Sequence, residues 1–314
     1  MNVVSNPETI ARGAFANTAV TIGVFDGVHR GHTEVIRTLA RTKRDENRSA
    51  SILLTFDTHP LAVTHPEIVP PLLTTLEEKL YVLGEMEIDC AVIEHFSKET
   101  AAIDYHAYIA GRLVETLGMK HLVVGYDFHL GRGREGSREH LLEEARRLDF
   151  AVTVVPPVVL QGSVISSTKI RRDVLERRLE HAARCLGRPY FFEAFVMHGE
   201  GLGARIGFPT ANAGIGPSGK LLPPGGVYAV EVDALGRRFG GMMNIGTAPT
   251  MHADGARHVE VHLLDFTGDL YGERIRVRCL RFIREERRFG SPAELRAQLM
   301  QDRQMAYAIL EKRH

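Results

Sequence analysis

The 314 residues predict two folded parts: an α/β part built on a doubly wound parallel sheet, then a small antiparallel β-barrel carrying a terminal helix. Three observations predict this. Apolar strand-like runs alternate with helix-period segments up to residue 155. The chain then turns arginine-rich, RRDVLERRLEHAARCLGR. From Pro189 onward, short strand-like runs alternate with Gly/Pro turns. The length suits two domains, which the change of composition places at 1–185 and 186–314.

The elements follow in order. AVTI over 19–22 is an apolar strand, and Val35, Ile36 and Leu39 recur at helical spacing, predicting a helix over about 33–44. ASILLTF over 50–56 is nearly continuous in apolar residues, as a strand covered on both faces must be. A helix over 76–85, a strand over 90–93 and a helix over 105–117 come next. A strand over 121–125, a helix over 139–148 and a strand over 151–155 complete the alternation. Strands separated by helices imply a parallel sheet, whose ligands bind beyond the carboxyl ends of the strands. Over about 169–187 glutamates interleave with arginines, predicting one solvated linking helix held by i,i+4 pairs. Barrel strands are predicted over 191–197, 226–232, 239–244, 259–264 and 275–282. The last helix starts at Ser291-Pro292-Ala293-Glu294: a serine cap, proline at the first helical position and glutamate three on, a capping box.

Hydrophobic residues are 44% and charged residues 25%, a globular balance, and formal charge sums to +0. No long-range field steers the chain to nucleic acid or an anionic membrane. The N-terminus lacks a basic end followed by an apolar core, and no run is long enough to span a bilayer. Cys90, Cys185 and Cys279 share no metal spacing, implying reduced thiols and a cytoplasmic location. Oligomeric state has no signature.

The most informative stretch is GVFDGVHRGH, Gly23 to His32, a turn between the first strand and its helix. Gly31 lets the backbone approach a phosphate, and the helix start offers free N–H groups. His29 and His32, three apart, can donate to phosphate oxygens and to charge that develops on a leaving group. ISSTKIR, from Ile165, sets the hydroxyls of Ser167 and Thr168 at a helix start, with Arg171 behind them. Simple capping explains those hydroxyls equally well if the segment stands alone. GRGREG over 131–136 has the form of a dinucleotide fingerprint. It does not directly follow its strand, and no acidic residue ends the next one, so it is read as an arginine-bearing loop.

The second half carries its own set. GLGARIGFPTAN supplies a glycine-rich loop, Gly201, Gly203 and Gly207, followed by Pro209, Thr210 and Asn212. Thr210 and Asn212 are neutral oxygen donors suited to a Mg²⁺ held mainly by phosphates. HVEVHLLD alternates strictly, so Glu260 faces away from Val259 and Val261 and can take a proton from a substrate hydroxyl. GIGPSGK over 214–220 mimics a phosphate-binding loop, but Leu221 replaces the hydroxyl residue and Pro223-Pro224 forbids the helix.

GVFDGVHRGH and ISSTKIR resemble the two signatures of the Rossmann-like HxGH nucleotidyltransferases. With TFDTHP, GYDF, GFPTAN, PGGVYAV, NIGTAPT, VEVHLLDF and DLYG, the chain from about 15 to 310 resembles the bacterial bifunctional riboflavin kinase/FMN adenylyltransferases. That resemblance implies ATP-dependent phosphorylation of riboflavin to FMN in a riboflavin kinase-like barrel. It also implies adenylylation of FMN by ATP to FAD, with pyrophosphate released, in the first domain. Riboflavin, FMN and ATP are the implied partners and Mg²⁺ the implied cofactor. The resemblance gives Gly23, Phe25, Asp26, Gly31, Ser167, Thr168 and Arg171 to ATP and its phosphates. It gives Phe56, Asp57, Asp127 and Phe128 to the flavin side of the adenylyltransferase, and Glu260 the role of kinase base. Three positions depart from the family pattern: Thr58 for proline, His129-Leu130 for Arg-Phe, and Ala213 for a branched apolar residue. Two other readings remain at this stage: a different nucleotidyltransferase with a binding module, and a non-catalytic flavin-binding regulator.

Overall fold

The computed structural model describes residues 1–11, 13–128, 138–198, 203, 206–216, 219–247 and 257–312. It divides into two compact units, Met1–Ser167 and Thr168–His314. That division falls earlier than the composition suggests, because the segment after Ser167 belongs by its contacts with the barrel.

The first unit is a six-stranded sheet: β1 (Asn2–Val4), β2 (Thr18–Ile22), β3 (Ser51–Phe56), β4 (Cys90–Glu94), β5 (Met119–Gly125) and β6 (Ala151–Val155). Their order is β1-β4-β3-β2-β5-β6, and every neighbouring pair is parallel. The order reverses between β2 and β5, which makes the end of β2 a topological switch point, where such sheets open a ligand crevice. β2 is buried throughout. Val20 and Ile22 join one core with Ile52, Leu54 and Leu122, while Ala19 joins another with Val35, Leu39 and Val123. Alternation by two thus sends side chains into a core on each face. β1 carries no apolar signal in the sequence; it is three residues long and partly exposed at the edge.

Helix α1 (Arg30–Asp45) follows β2. α2 (Pro60–Thr64) and α3 (Leu76–Gly84) lie between β3 and β4. α4 (Lys98–Ala102) and α5 (Tyr105–Ala107) precede a π-helical stretch, Tyr108–Thr116, where the periodicity predicts an ordinary helix. In that stretch Tyr108 donates to the buried Glu94 carboxylate, and Arg112 Nε lies 2.9 Å from its other oxygen. α6 (Arg138–Leu148) precedes β6, and a small hairpin of β7 (Val159–Leu160) and β8 (Ser163–Val164) follows it.

The expected single linking helix is two helices, α7 (Ser167–Leu175) and α8 (Leu179–Leu186). Arg177 between them has φ +59°. The turn is closed by arginines that the sequence suggests are solvated. Arg178 Nε and Nη2 bond Asp173 Oδ1 at 2.9 and 2.7 Å, and His181 Nδ1 lies 2.7 Å from Oδ2. Arg177 bonds the Gly225 carbonyl at 3.0 Å and stacks over Phe282.

The barrel consists of β9 (Tyr190–Met197), β10 (Ala211–Gly214), β11 (Gly226–Ala234), β12 (Arg237–Thr247), β13 (Arg257–Leu263) and β14 (Arg274–Arg284). It closes in the order β10-β13-β12-β11-β14-β9, with β9 back on β10, antiparallel throughout. Five of these strands are visible in the sequence. β10 is not, because the small residues of ANAG offer no apolar alternation.

α9 (Pro292–Glu311) lies against β11, β12 and β14. Ser291 caps it by accepting from Glu294 N at 3.3 Å. The expected capping box is not closed as drawn, because the Glu294 carboxylate accepts from Gly290 N at 3.0 Å, one residue further back. Close approach of α9 to the barrel needs Gly240: a Cβ there would stand 2.4 Å from Leu310 Cδ1. Asp302, 0% exposed, anchors the helix by accepting from Arg284 Nε and Nη2 and from Gln298. Removing one partner of a buried pair leaves the other charge uncompensated. Asp302→Ala is therefore expected to cost about 3–5 kcal/mol in a denaturant melt of the barrel.

All three cysteines are free and buried, and burial pushes the Cys279 thiol up to about 12. Among the described residues, no helix is long and apolar enough to cross a membrane.

Candidate active sites in the sheet unit and in the barrel

The loop leaving β2 is held in an uncommon backbone. Phe25, Gly27 and Val28 have φ of +50°, +81° and +38°. Left-handed φ is costly for a β-branched residue and persists only where the surroundings impose it. Here they do. Asp26, 4% exposed, accepts from Leu73 N at 3.0 Å and Thr74 N at 3.0 Å, while Gly27 N donates to Thr74 Oγ1 at 3.0 Å. Val28 N closes onto the Phe25 carbonyl at 3.1 Å. The Phe25 ring covers Gly23 and meets His32 edge-on, with centroids 5.2 Å apart.

His29 is the N-cap of α1, its Nδ1 accepting from His32 N at 3.3 Å. That bond puts the proton of a neutral ring on Nε2, which makes that nitrogen a donor. The two imidazoles stack with centroids 3.6 Å apart. A Cβ on Gly31 would lie 3.0 Å from the His29 ring, so glycine here is what lets that ring fold over the turn. A helix start with two stacked imidazoles, at the switch point, is an arrangement for anion binding.

Of the three aspartates that the resemblance gives to ligands, Asp26 and Asp57 also bond neighbouring backbone N–H groups. Asp26 Oδ1 and Oδ2 accept from the backbone of 73–74. Asp57, at the end of β3, lies 2.8 Å from His95 Nδ1 and accepts from Phe96 N at 3.3 Å. Burial works against its charge, but the His95, Thr58 and Phe96 bonds prevail and hold its carboxyl below the ordinary range. Phe56 is buried in the core, edge-on to Phe96 at 5.2 Å. Asp127 and Phe128 follow β5, the strand beside β2, as a loop at the same end of the sheet. Ser167 Oγ donates to the Asp26 carbonyl at 2.9 Å, a bond that braces the loop. Thr168 lies on the first turn of α7 and Arg171 on its second, after the division between the units. The loop 131–136 and His129-Leu130 fall outside the described residues.

In the barrel, register places three polar residues in a row on adjacent strands: Asn212 opposite Glu260, and Glu260 opposite Asn244. Cross-strand partners share a face, so the row lies on one side of the wall. Thr210 and Glu260 line a cavity of about 890 Å³, shared with Phe208, His262, Glu286 and the start of α9. His258 Nε2 is 2.9 Å from Glu260 Oε1. His262 Nδ1 donates to the Pro209 carbonyl at 2.7 Å and so holds the PTAN turn. Burial keeps that imidazole's pKa below the ordinary value. Gly207 has φ +85°, and a Cβ on Gly203 would lie 2.3 Å from the Phe208 carbonyl and 3.3 Å from Thr210 Oγ1. Gly201 falls outside the described residues.

The FAD synthetase family matches residues 12–169, and the riboflavin kinase family matches residues 186–310. The bifunctional riboflavin kinase/FMN adenylyltransferase of Escherichia coli strain K12 is 38% identical over 303 residues, 96% of each chain. The chain belongs to the bifunctional riboflavin kinase/FMN adenylyltransferase family. The relative from Listeria monocytogenes is 34% identical over 308 residues, 98% of this chain and 97% of its own. A crystal structure described as a macrolide-efflux protein from Streptococcus pneumoniae superposes with a TM-score of 0.86 at 28% identity, covering 97% of this chain and 98% of that one. Family membership accounts for both sets of motifs, and a nucleotidyltransferase with a mere binding module would leave 186–310 unexplained.

Asn244, which opens the NIGTAPT motif, stands in β12 beside Glu260. Two residues near these sites escape the motifs. Glu286 accepts from Asn244 Nδ2 at 3.2 Å and packs on Gly246. Lys79 lies on α3, where one cation in a helix of mixed charge carries no signal.

Proposed function

We infer that this chain makes FAD from riboflavin in two ATP-dependent steps, the first within 186–314 and the second within 1–185. The observation that carries the reading is the pairing, in one chain, of the histidine turn at the end of β2 with the Asn212–Glu260–Asn244 row beside the barrel cavity.

In the first step Glu260 accepts the proton of the riboflavin 5′-hydroxyl as that oxygen attacks the γ-phosphorus of ATP. His258 orients the carboxylate. The glycine loop ending at Thr210 leaves room for phosphates, since a side chain at Gly203 would fill the space beside Thr210 Oγ1. Thr210 and Asn212 offer the neutral oxygens that a phosphate-held Mg²⁺ takes, so the donor set fits that ion, which would neutralise charge on the phosphates. In the second step the phosphate of FMN attacks the α-phosphorus of a second ATP and pyrophosphate leaves. His29 Nε2–H and His32 donate to the oxygens on which charge builds, and the N–H groups opening α1 add to them. Arg171 and Thr168 supply further phosphate contacts, and Phe128 a wall for the flavin. The buried free thiols suit a reducing cytoplasm.

A chromatographic time-course with riboflavin, ATP and Mg²⁺ is expected to show FMN first and FAD after it. Absence of both products would overturn the reading.

A further inference from the structure

Lys79 is 5% exposed, and its ammonium meets only neutral oxygens. Nζ donates to Thr55 Oγ1 at 3.1 Å and to the Phe56 carbonyl at 3.0 Å, both at the end of β3. Thr55 Oγ1 in turn donates to the Val24 carbonyl at 3.1 Å, in the histidine loop. The segment that leads into α3 is tied to the same loop at a second point, through Leu73, Thr74 and Asp26. One helix thus binds the loop that carries His29 and His32 and the strand end that carries Phe56 and Asp57. We propose that Lys79 is a positioning residue for adenylyl transfer, which holds the β2 and β3 loops in the relation the two substrates need.

The chemistry supports a role beyond packing. A buried ammonium is expensive, and two neutral acceptors do not compensate as a carboxylate would. Among the described residues, Lys79 makes no ion pair. Burial pulls its pKa down to about 8, against the pull of Asp26 from the β2 loop and Asp57 from the β3 loop. Of the other nearby charged groups, His95 is paired with Asp57, and Glu78 is committed to Thr75 N in the cap of α3. An apolar residue would fill the space at less cost. What it could not do is hold Thr55 and Phe56 by charge-assisted bonds, which are about twice as strong as neutral ones. Misplacement by an ångström in a reacting pair costs about 10²-fold in rate, so a brace between two loops is kinetically significant.

The proposal rests on the reading of 1–185 as an FMN adenylyltransferase, and the test separates the two. FAD formation from FMN and ATP is measured for the wild type, Lys79→Met and Lys79→Arg, with FMN formation from riboflavin as an internal control on the same samples. Lys79→Met is expected to lower the adenylylation kcat by about tenfold to a hundredfold. Its FMN formation and melting temperature should hold, and Lys79→Arg should recover part of the rate. In the wild type the rate should fall as pH rises through about 8, where Lys79 loses its proton, and the methionine variant should lack that limb. An unchanged kcat in Lys79→Met, or a wild-type profile without the alkaline limb, overturns the proposal. Parallel loss of both activities with a lower melting temperature assigns Lys79 to packing and overturns it too. A wild type that makes FMN but no FAD overturns the adenylyltransferase reading itself.

Discussion

His29→Ala is expected to stop FAD formation from FMN and ATP while riboflavin is still converted to FMN, which then accumulates. The ring sits at the switch point of the sheet, on the first turn of α1, with its donor edge set by the bond from His32 N to Nδ1. Loss of one preorganised donor to a charge-building oxygen costs about 10²–10³ in kcat. His29 also caps α1, and loss of a cap costs about 0.5–2 kcal/mol. The two effects are separable. Asparagine is a good cap, so His29→Asn keeps the acceptor for His32 N and removes the ring donor. Its melting temperature should stay near wild type while FAD formation remains as low as in the alanine variant. Recovery of activity in His29→Asn would show that the residue acts only as a cap. Equal loss of FMN formation in either variant would show that the two halves do not work separately.

What could be read before the structure was known depended on the range of the interaction. β2, β3 and β5 are legible because strands covered on both faces must be apolar throughout, and the sheet then follows from the helices between them. The His29–His32 turn is legible because strand, glycine turn and helix lie within one continuous stretch. Asp26 shows the limit. Its place beside two histidines and a glycine is legible, whereas its bonds to backbone N–H groups 47 and 48 positions away are not. Nothing local announces them. Lys79 is hidden for the same reason, since its acceptors are 23 and 24 residues back on β3. β10 escapes notice because its two neighbours supply the pairing and its own residues are small. The alternation of β13 predicts which face Glu260 takes, whereas its place beside Asn244 depends on cross-barrel register. The break between α7 and α8 turns on Arg178 reaching back to a buried Asp173, where interleaved charges suggest only solvent.

Glu260→Gln should give the opposite product pattern. The substitution keeps size and keeps an acceptor for His258, but the amide cannot take a proton from the riboflavin hydroxyl. Loss of a general base costs about 10²–10⁴, so FMN formation should fall by that factor. The Asn212–Glu260–Asn244 row is held by the β10–β13–β12 register, and the amide changes no backbone pairing, so the barrel should melt as before. FAD should then fail to appear from riboflavin for lack of FMN, yet form at the wild-type rate when FMN is supplied. That rescue distinguishes a blocked first step from a damaged protein, because supplied FMN enters the second step without the chemistry of Glu260. A Glu260→Gln variant that still phosphorylates riboflavin at the wild-type rate would move the base elsewhere. Glu286 is the next carboxylate lining the same cavity, bonded to Asn244 at 3.2 Å. A double substitution at 260 and 286 would then be the one to abolish FMN formation.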